Sequence, residues 1–217
     1  ILSFLFFIGA VSGWGIELLF RRFLSSANPE RKWINPGFCT GPYLPLYGFG
    51  LCFLYLIASL ESLPFMDGLR YPKVMLFVIM AITMTVLEYI AGIFLLKVAH
   101  LRLWDYSREW GNINGLICPK FSLIWASLGA AYYFLVHPKI LDTLRWFSEN
   151  LAFSFVIGLF FGVFLIDLSH SLEIAGKLKK FAAENHVVVR YEHLKLQIRK
   201  AYEEKKQKYP FFAPFRS

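Results

Sequence analysis

The feature that most constrains this chain is five long apolar stretches, at about 1–20, 43–63, 74–97, 121–136 and 151–169. A hydrocarbon layer roughly 30 Å thick takes about 17–25 helical residues to cross, at about 1.5 Å of rise each. The fourth stretch is short, and would borrow a turn from 118–120 or stand with little tilt. Hydrophobic residues make up 57% of the 217 residues and aromatics 18%, more than a water-soluble core can use. The sequence therefore predicts an all-α integral membrane protein of about five transmembrane helices. The first stretch, "ILSFLFFIGAVSGWGIELLF", has no basic start and no small-residue cleavage site after it. It reads as a retained span and not as a signal peptide.

Lysine and arginine in the connections predict orientation, because cytoplasmic loops retain positive charge. The connections carry four, two, four and two such residues in chain order, and the tail carries eleven. The first and third connections and the C-terminal tail are expected on the cytoplasmic side, with the N-terminus outside. The net charge of +8 is then a topology signal and an attraction to anionic lipid headgroups, chiefly at the basic tail. No nucleic-acid partner is expected, since the basic tail adjoins a span and carries no binding module. Cys39, Cys52 and Cys118 form no CxxC pair and read as reduced thiols. The five histidines lack ligand spacing, so neither a metal nor another cofactor is expected.

Two strongly bent segments stand ahead of apolar stretches. "NPGFCTGPYLPLYGFG" at 35–50 packs four glycines, three prolines and a cysteine, and "NINGLICPKFSLIWASLG" at 112–129 repeats the order Asn, Gly, Cys, Pro, helix. Residues 1–63 run Glu17, a loop with Trp33, the first bend and a span; residues 74–136 run Glu88, a loop with Trp104 and Trp110, the second bend and a span. Two spans per half predict two parallel two-helix repeats, with 151–169 standing outside them. Chance likeness of two helix starts gives the same pattern. Glycine and proline free backbone groups that lipid cannot satisfy, so each bend should face protein or a wet cavity and dip toward a shared centre.

Intramembrane acids carry the functional expectation. Glu88 lies inside the third stretch, where an ionisable group costs about 2.5–3.5 kcal/mol on insertion scales and so avoids lipid. It is either a protonated group bonding across helices or a ligand or proton site. Glu17 has Arg21 four residues on, which an ordinary i,i+4 contact would explain. If the halves are repeats, the two glutamates face one another and make a trap for a cation or proton. "RLWDYSREWGNIN" adds Trp104, Asp105, Tyr106, Asn112 and Asn114. Tryptophan and tyrosine mark the headgroup belt in many membrane proteins, but an acid between aromatic rings also suits an organic cation or a lipid headgroup. Asn35, Asn112 and Asn114 are expected to fix the bends.

"GWGIELLF", "NPGFCTGPYLPLYGFG", "LEYIAG" and "LWDYSREWGNINGLICPKFSLIW" followed by "HP" together resemble the bacterial CmpB-like family described as Putative ABC-transporter type IV. The likeness runs over residues 9–138 and departs from the family pattern at Pro36 and His100. It implies a multi-pass protein of bacterial plasma membranes and a component of a transporter. The chain has no GxxxxGK[ST] run, so ATP hydrolysis would come from a partner.

The remaining features read as structural. Gly9 with Gly13, and Gly158 with Gly162, are spaced for close helix packing within the bundle. Asp167 and His170 end the fifth stretch as an interfacial contact or weak cap. We divide the chain into a transmembrane domain, 1–170, and a basic tail, 171–217, whose helical spacing predicts an amphipathic helix for lipid or for a protein partner through 171–208. The leading expectation is a transporter or permease component for a small molecule or cation, binding through Glu17, Glu88, Trp104, Asp105, Tyr106, Asn35, Asn112 and Asn114. A membrane-embedded enzyme acting on a lipid or isoprenoid carrier, with Asp105 or Glu88 as base, and a membrane assembly or regulatory protein are the alternatives.

Overall fold

Helices occupy the apolar stretches, and the bent links decide how they pack. The computed structural model describes residues 1–25, 28–68, 70–99, 101–150, 152–184, 189–190, 194–195 and 197. His100, most of the tail beyond 184 and its "PFFAPF" end lie outside these residues. In order come α1 (Leu2–Phe23), α2 (Pro45–Ser59) with a 3-10 turn (Leu60–Ser62), α3 (Pro64–Asp67) and α4 (Pro72–Ala99). Then follow α5 (Pro119–Ala131), a π turn (Tyr132–Val136), α6 (His137–Glu149) and α7 (Ala152–Glu184). A short strand, β1 (Leu101–Arg102), pairs in parallel with β2 (Val189–Arg190) from the tail.

Among the described residues, four helices are long and apolar enough to cross a membrane: α1, α2 with its 3-10 turn, α4 and α7. The fourth expected stretch, 121–136, differs. It is the 13-residue α5 joined to the π turn, and the presumed link after it is a further helix, α6. α5 is short because it starts low: Leu116, just before it, packs on Gly92, seven residues inside the end of α4 and so about 10 Å down. Proline opens both α2 and α5, where its missing N–H breaks no helical bond.

α1 and α2 lie antiparallel and close. A Cβ at Gly13 would stand 2.3 Å from the Tyr47 ring, and one at Gly9 2.7 Å from the Tyr47 carbonyl, so only glycine permits this approach. α2, α4 and α5 converge where Gly50 faces Met84 and Gly129 faces Met80 and Leu54. α7 docks by Phe160, Phe161 and Phe164 on Phe6, Phe7 and Tyr43. Its other face exposes Phe155, Leu159 and Ile166. Gly158 and Gly162 have open space around them, contrary to the packing expected of them; α7 docks through its phenylalanines instead.

Both bends fold back into the bundle. Leu44 N–H donates to the Ala10 carbonyl (2.9 Å), 13 residues before the end of α1, which sets that point about 20 Å below the helix end. Tyr106, from the second bend, reaches Glu88, 11 residues and about 16 Å inside α4.

Candidate functional site

The second bend is built from its own polar side chains. Asn114 and Gly115 are both left-handed (φ 55° and 66°), the conformation a tight Asn-Gly turn requires, and Leu116 N–H closes it on the Ile113 carbonyl. Asn112 brackets the loop, accepting from Gly115 N–H and donating to the carbonyls of Ser107 and Glu109. Asn114 donates to the Tyr89 hydroxyl on α4, and Trp104 Nε1 donates to the Leu116 carbonyl. Asp105 pairs with Arg102 at 2.8 Å and accepts from Ser107 N–H. Burial works against the Asp105 charge, but the bonds from Ser107 and Arg102 outweigh it and hold the carboxyl below the usual range.

This frame aims Tyr106 inward. Its hydroxyl donates to Glu88 Oε1 at 2.9 Å, and its ring stacks on Phe121 of α5 with centroids 4.1 Å apart. Burial, then the charge of Glu88, pushes the Tyr106 phenol well above its ordinary range, so it stays a donor. Glu88 is 3% exposed, and its Oε2 has no hydrogen-bond partner. Trp125 of α5 lies against the same carboxyl.

The first bend has matching parts. Asn35 accepts from Trp14 Nε1 (3.0 Å) and Gly37 N–H, and donates to the carbonyls of Cys39 and Thr40. Tyr47, one turn into α2, donates to Glu17 Oε2 at 3.0 Å, while Arg21 Nε holds Oε1 at 2.9 Å. Asp167 of α7 secures the bend from outside, accepting from the N–H groups of Thr40 and Gly41 and from the Tyr43 hydroxyl. Lys195 from the tail donates to the carbonyls of Asn35 and Gly37.

The Glu17 and Glu88 clusters meet through rings. Tyr47 and Trp125 have centroids 5.3 Å apart, which links Glu17 to Glu88 through one packed cluster, and each carboxyl lies within the other's field. Arg21 balances Glu17. Among the described residues no cation pairs with Glu88, so the cluster has one acid in excess.

Of the expected site residues, Glu17, Glu88 and Tyr106 come together. Trp104, Asp105, Asn35, Asn112 and Asn114 spend their polar atoms on the bends that hold that cluster. Asp105 is engaged by Arg102 and Ser107, which leaves it poorly placed as a base. Tyr47 and Trp125 were missed, since nothing local relates them to glutamates 30 and 37 residues away. Asp167 was expected as an interfacial contact or weak cap; it is the clamp on the first bend, and the signal for that was an acid inside the apolar run "FLIDL". Among the described residues no group of three or more His, Cys, Asp or Glu side chains is gathered to hold a metal ion.

A sequence model of the family described as Putative ABC-transporter type IV matches residues 4–172, which includes α7 as far as the Asp167 clamp. No curated protein and no solved structure matches the chain.

Proposed function

We propose, from the premise that this chain belongs to the Putative ABC-transporter type IV family, that it is the membrane-embedded part of a transporter whose Glu88 carboxyl takes up one positive charge. That charge is a proton or a small monovalent cation. The observation that carries this reading is the buried Oε2 of Glu88, which has no partner while Oε1 is held by a tyrosine from a re-entrant bend. A buried carboxylate without a full set of partners is costly, so such a group is either neutral or receives a cation. The stacking of Tyr106 on Phe121 and the tilted ring contact of Tyr47 with Trp125 crowd the carboxyl and favour a small ligand. Helices that start part-way through the bundle from bent backbone resemble the broken helices around which membrane transporters build midplane sites. The positive charge of the first and third connections supports a topology with the bends on the cytoplasmic side of a bacterial plasma membrane. A separate ATP-hydrolysing partner would supply the energy.

The test uses purified protein in nanodiscs beside Glu88→Gln. Difference titration counts the protons bound, and thermal shifts in sodium, potassium or ammonium chloride report cation binding. The parent should bind one proton, or gain stability in one of the three salts, and Glu88→Gln should lose that response. Identical proton counts and salt responses in the two proteins would make Glu88 a packing group.

A further inference from the structure

The opposite end of the bundle, away from the two bends, carries a second polar cluster that the Glu88 site does not use. It is built on the π turn. Such a turn holds one residue more than an α turn, is rare, and recurs at functional sites. Here it sets two consecutive buried tyrosines on two different partners. Tyr132 bonds His137 Nδ1 at 2.8 Å, and Tyr133 donates to Glu61 Oε2 on the 3-10 turn after α2. The His137 ring lies parallel to Tyr133, with 4° between planes and 6.4 Å between centroids, and 5.9 Å from Tyr55 of α2. Lys73 of α4 places Nζ 6.0 Å from the Tyr133 ring centre. The groups around the imidazole are thus Tyr55 from α2, Glu61 from the 3-10 turn, and Tyr132 and Tyr133 from the π turn, with Lys73 of α4 beyond the Tyr133 ring. Lys139, Asp142 and Arg145 lie further along its own helix and are exposed.

The Tyr132–His137 bond runs in either direction according to the tautomer: with hydrogen on Nε2, Tyr132 donates and Nδ1 accepts, and that neutral tautomer is the one assigned to His137. Burial holds His137 below the ordinary imidazole range, and the charge of Glu61 acts against that. Between this cluster and the Glu88 cluster lies apolar packing of Leu54, Met80 and Met84 around Gly129 and Gly50.

We propose that His137 is a proton-binding site at the π-turn end of the bundle, at which protonation exchanges the Tyr132 bond for an ion pair with Glu61. A proton from water adds to the Nδ1 lone pair, and Nδ1–H becomes a donor. The Tyr132 hydroxyl then loses its acceptor. The imidazolium turns to the Glu61 carboxylate and competes there with the Tyr133 hydroxyl, so both tyrosines of the π turn are released together. The π turn is the element with two arrangements, and acid on that side of the membrane selects between them. This site would give a proton a place at each end of the apolar section. Only that last use rests on the reading of Glu88, and the titration of His137 stands by itself.

The experiment is nitrogen-15 NMR of histidine-labelled full-length protein in nanodiscs, with the His137 signal assigned by its loss in His137→Asn. The parent, Tyr132→Phe and Glu61→Gln are titrated, each checked for fold by its melting curve. At neutral pH His137 should show the tautomer with hydrogen on Nε2. Tyr132→Phe should raise its midpoint by about half a pH unit or more, because the bond to the neutral form is gone, and Glu61→Gln should lower it by a similar amount. Hydrogen on Nδ1 at neutral pH, or a midpoint unmoved by both substitutions, would overturn the proposal. His137 titrating as stated beside an inert Glu88→Gln would sink the Glu88 reading alone, and the converse result would sink this one alone.

Discussion

The Tyr106 hydroxyl donates to Glu88 Oε1 at 2.9 Å across a gap of 18 residues, beside Trp125 on the same carboxyl. The bond ties a re-entrant loop to the middle of a membrane-crossing helix. Its loss strands the Oε1 of a buried carboxyl.

Tyr106→Phe should therefore destabilise the protein by about 1–3 kcal/mol, the cost of stranding a buried polar group. Glu88→Gln should cost less, since the amide oxygen still accepts from Tyr106 and no charge is buried. The double variant should fall short of the sum of the single effects, because both act on one bond. Denaturant unfolding in detergent measures all three; strictly additive losses would show that Tyr106 and Glu88 do not act together.

The position of Tyr47 depends on an absent side chain. A Cβ at Gly13 would meet the Tyr47 ring at 2.3 Å, whereas Gly15 and Gly158 have nothing within 4 Å. Gly13→Ala should push Tyr47 off Glu17 and cost about 1–3 kcal/mol by overpacking. Gly158→Ala should be neutral or stabilising by a few tenths up to about 1 kcal/mol, because alanine is the better helix former. Paired melting curves decide this, and equal effects at the two positions would contradict the α1–α2 packing described.

Asp167 and Cys39 share the first bend. Burial, and then the Asp167 charge, push the Cys39 thiol up to about 11, so little thiolate is present at neutral pH and alkylation should be slow. Asp167→Asn removes that charge and weakens the bonds from Thr40, Gly41 and Tyr43. In a background with Cys52 and Cys118 replaced by alanine, it should raise the maleimide labelling rate of Cys39 by about tenfold, the effect of about one pH unit on thiolate content. An unchanged rate would show that α7 does not hold the bend closed.

Membrane class, the helix count to within one broken helix and the Glu17–Arg21 contact were legible because each rests on local pattern: run length, or a spacing of four. The role of the bends was legible in kind, since glycine and proline beside an apolar run demand shelter. Their depth was not, because it depends on hydrogen bonds such as Leu44 to Ala10 that no short window contains. Tyr47, Trp125 and Tyr132 read as ordinary aromatic residues of a greasy chain, and only tertiary packing turns their polar atoms toward Glu17, Glu88 and His137. The fourth stretch misled because hydropathy sees residue type and is blind to a π turn.

The frame behind Tyr106 should fail in acid in a defined direction. Asp105 has its carboxyl held below the ordinary range by Ser107 and Arg102, against the effect of burial. The unfolded chain then takes up a proton at a higher pH than the folded one. The stabilisation is fully present above the ordinary aspartate value of about 3.9 and is lost as pH falls through the lower, folded value. Asp105→Asn removes this dependence and loosens Arg102, which also reaches the Asn114 carbonyl. Melting temperatures of parent and Asp105→Asn should differ by a constant amount from neutral pH down to about 4, with the parent the more stable, and converge below that. A gap that widens in acid would mean that Asp105 is protonated in the folded protein, and the pairing with Arg102 could not then be what orients Tyr106.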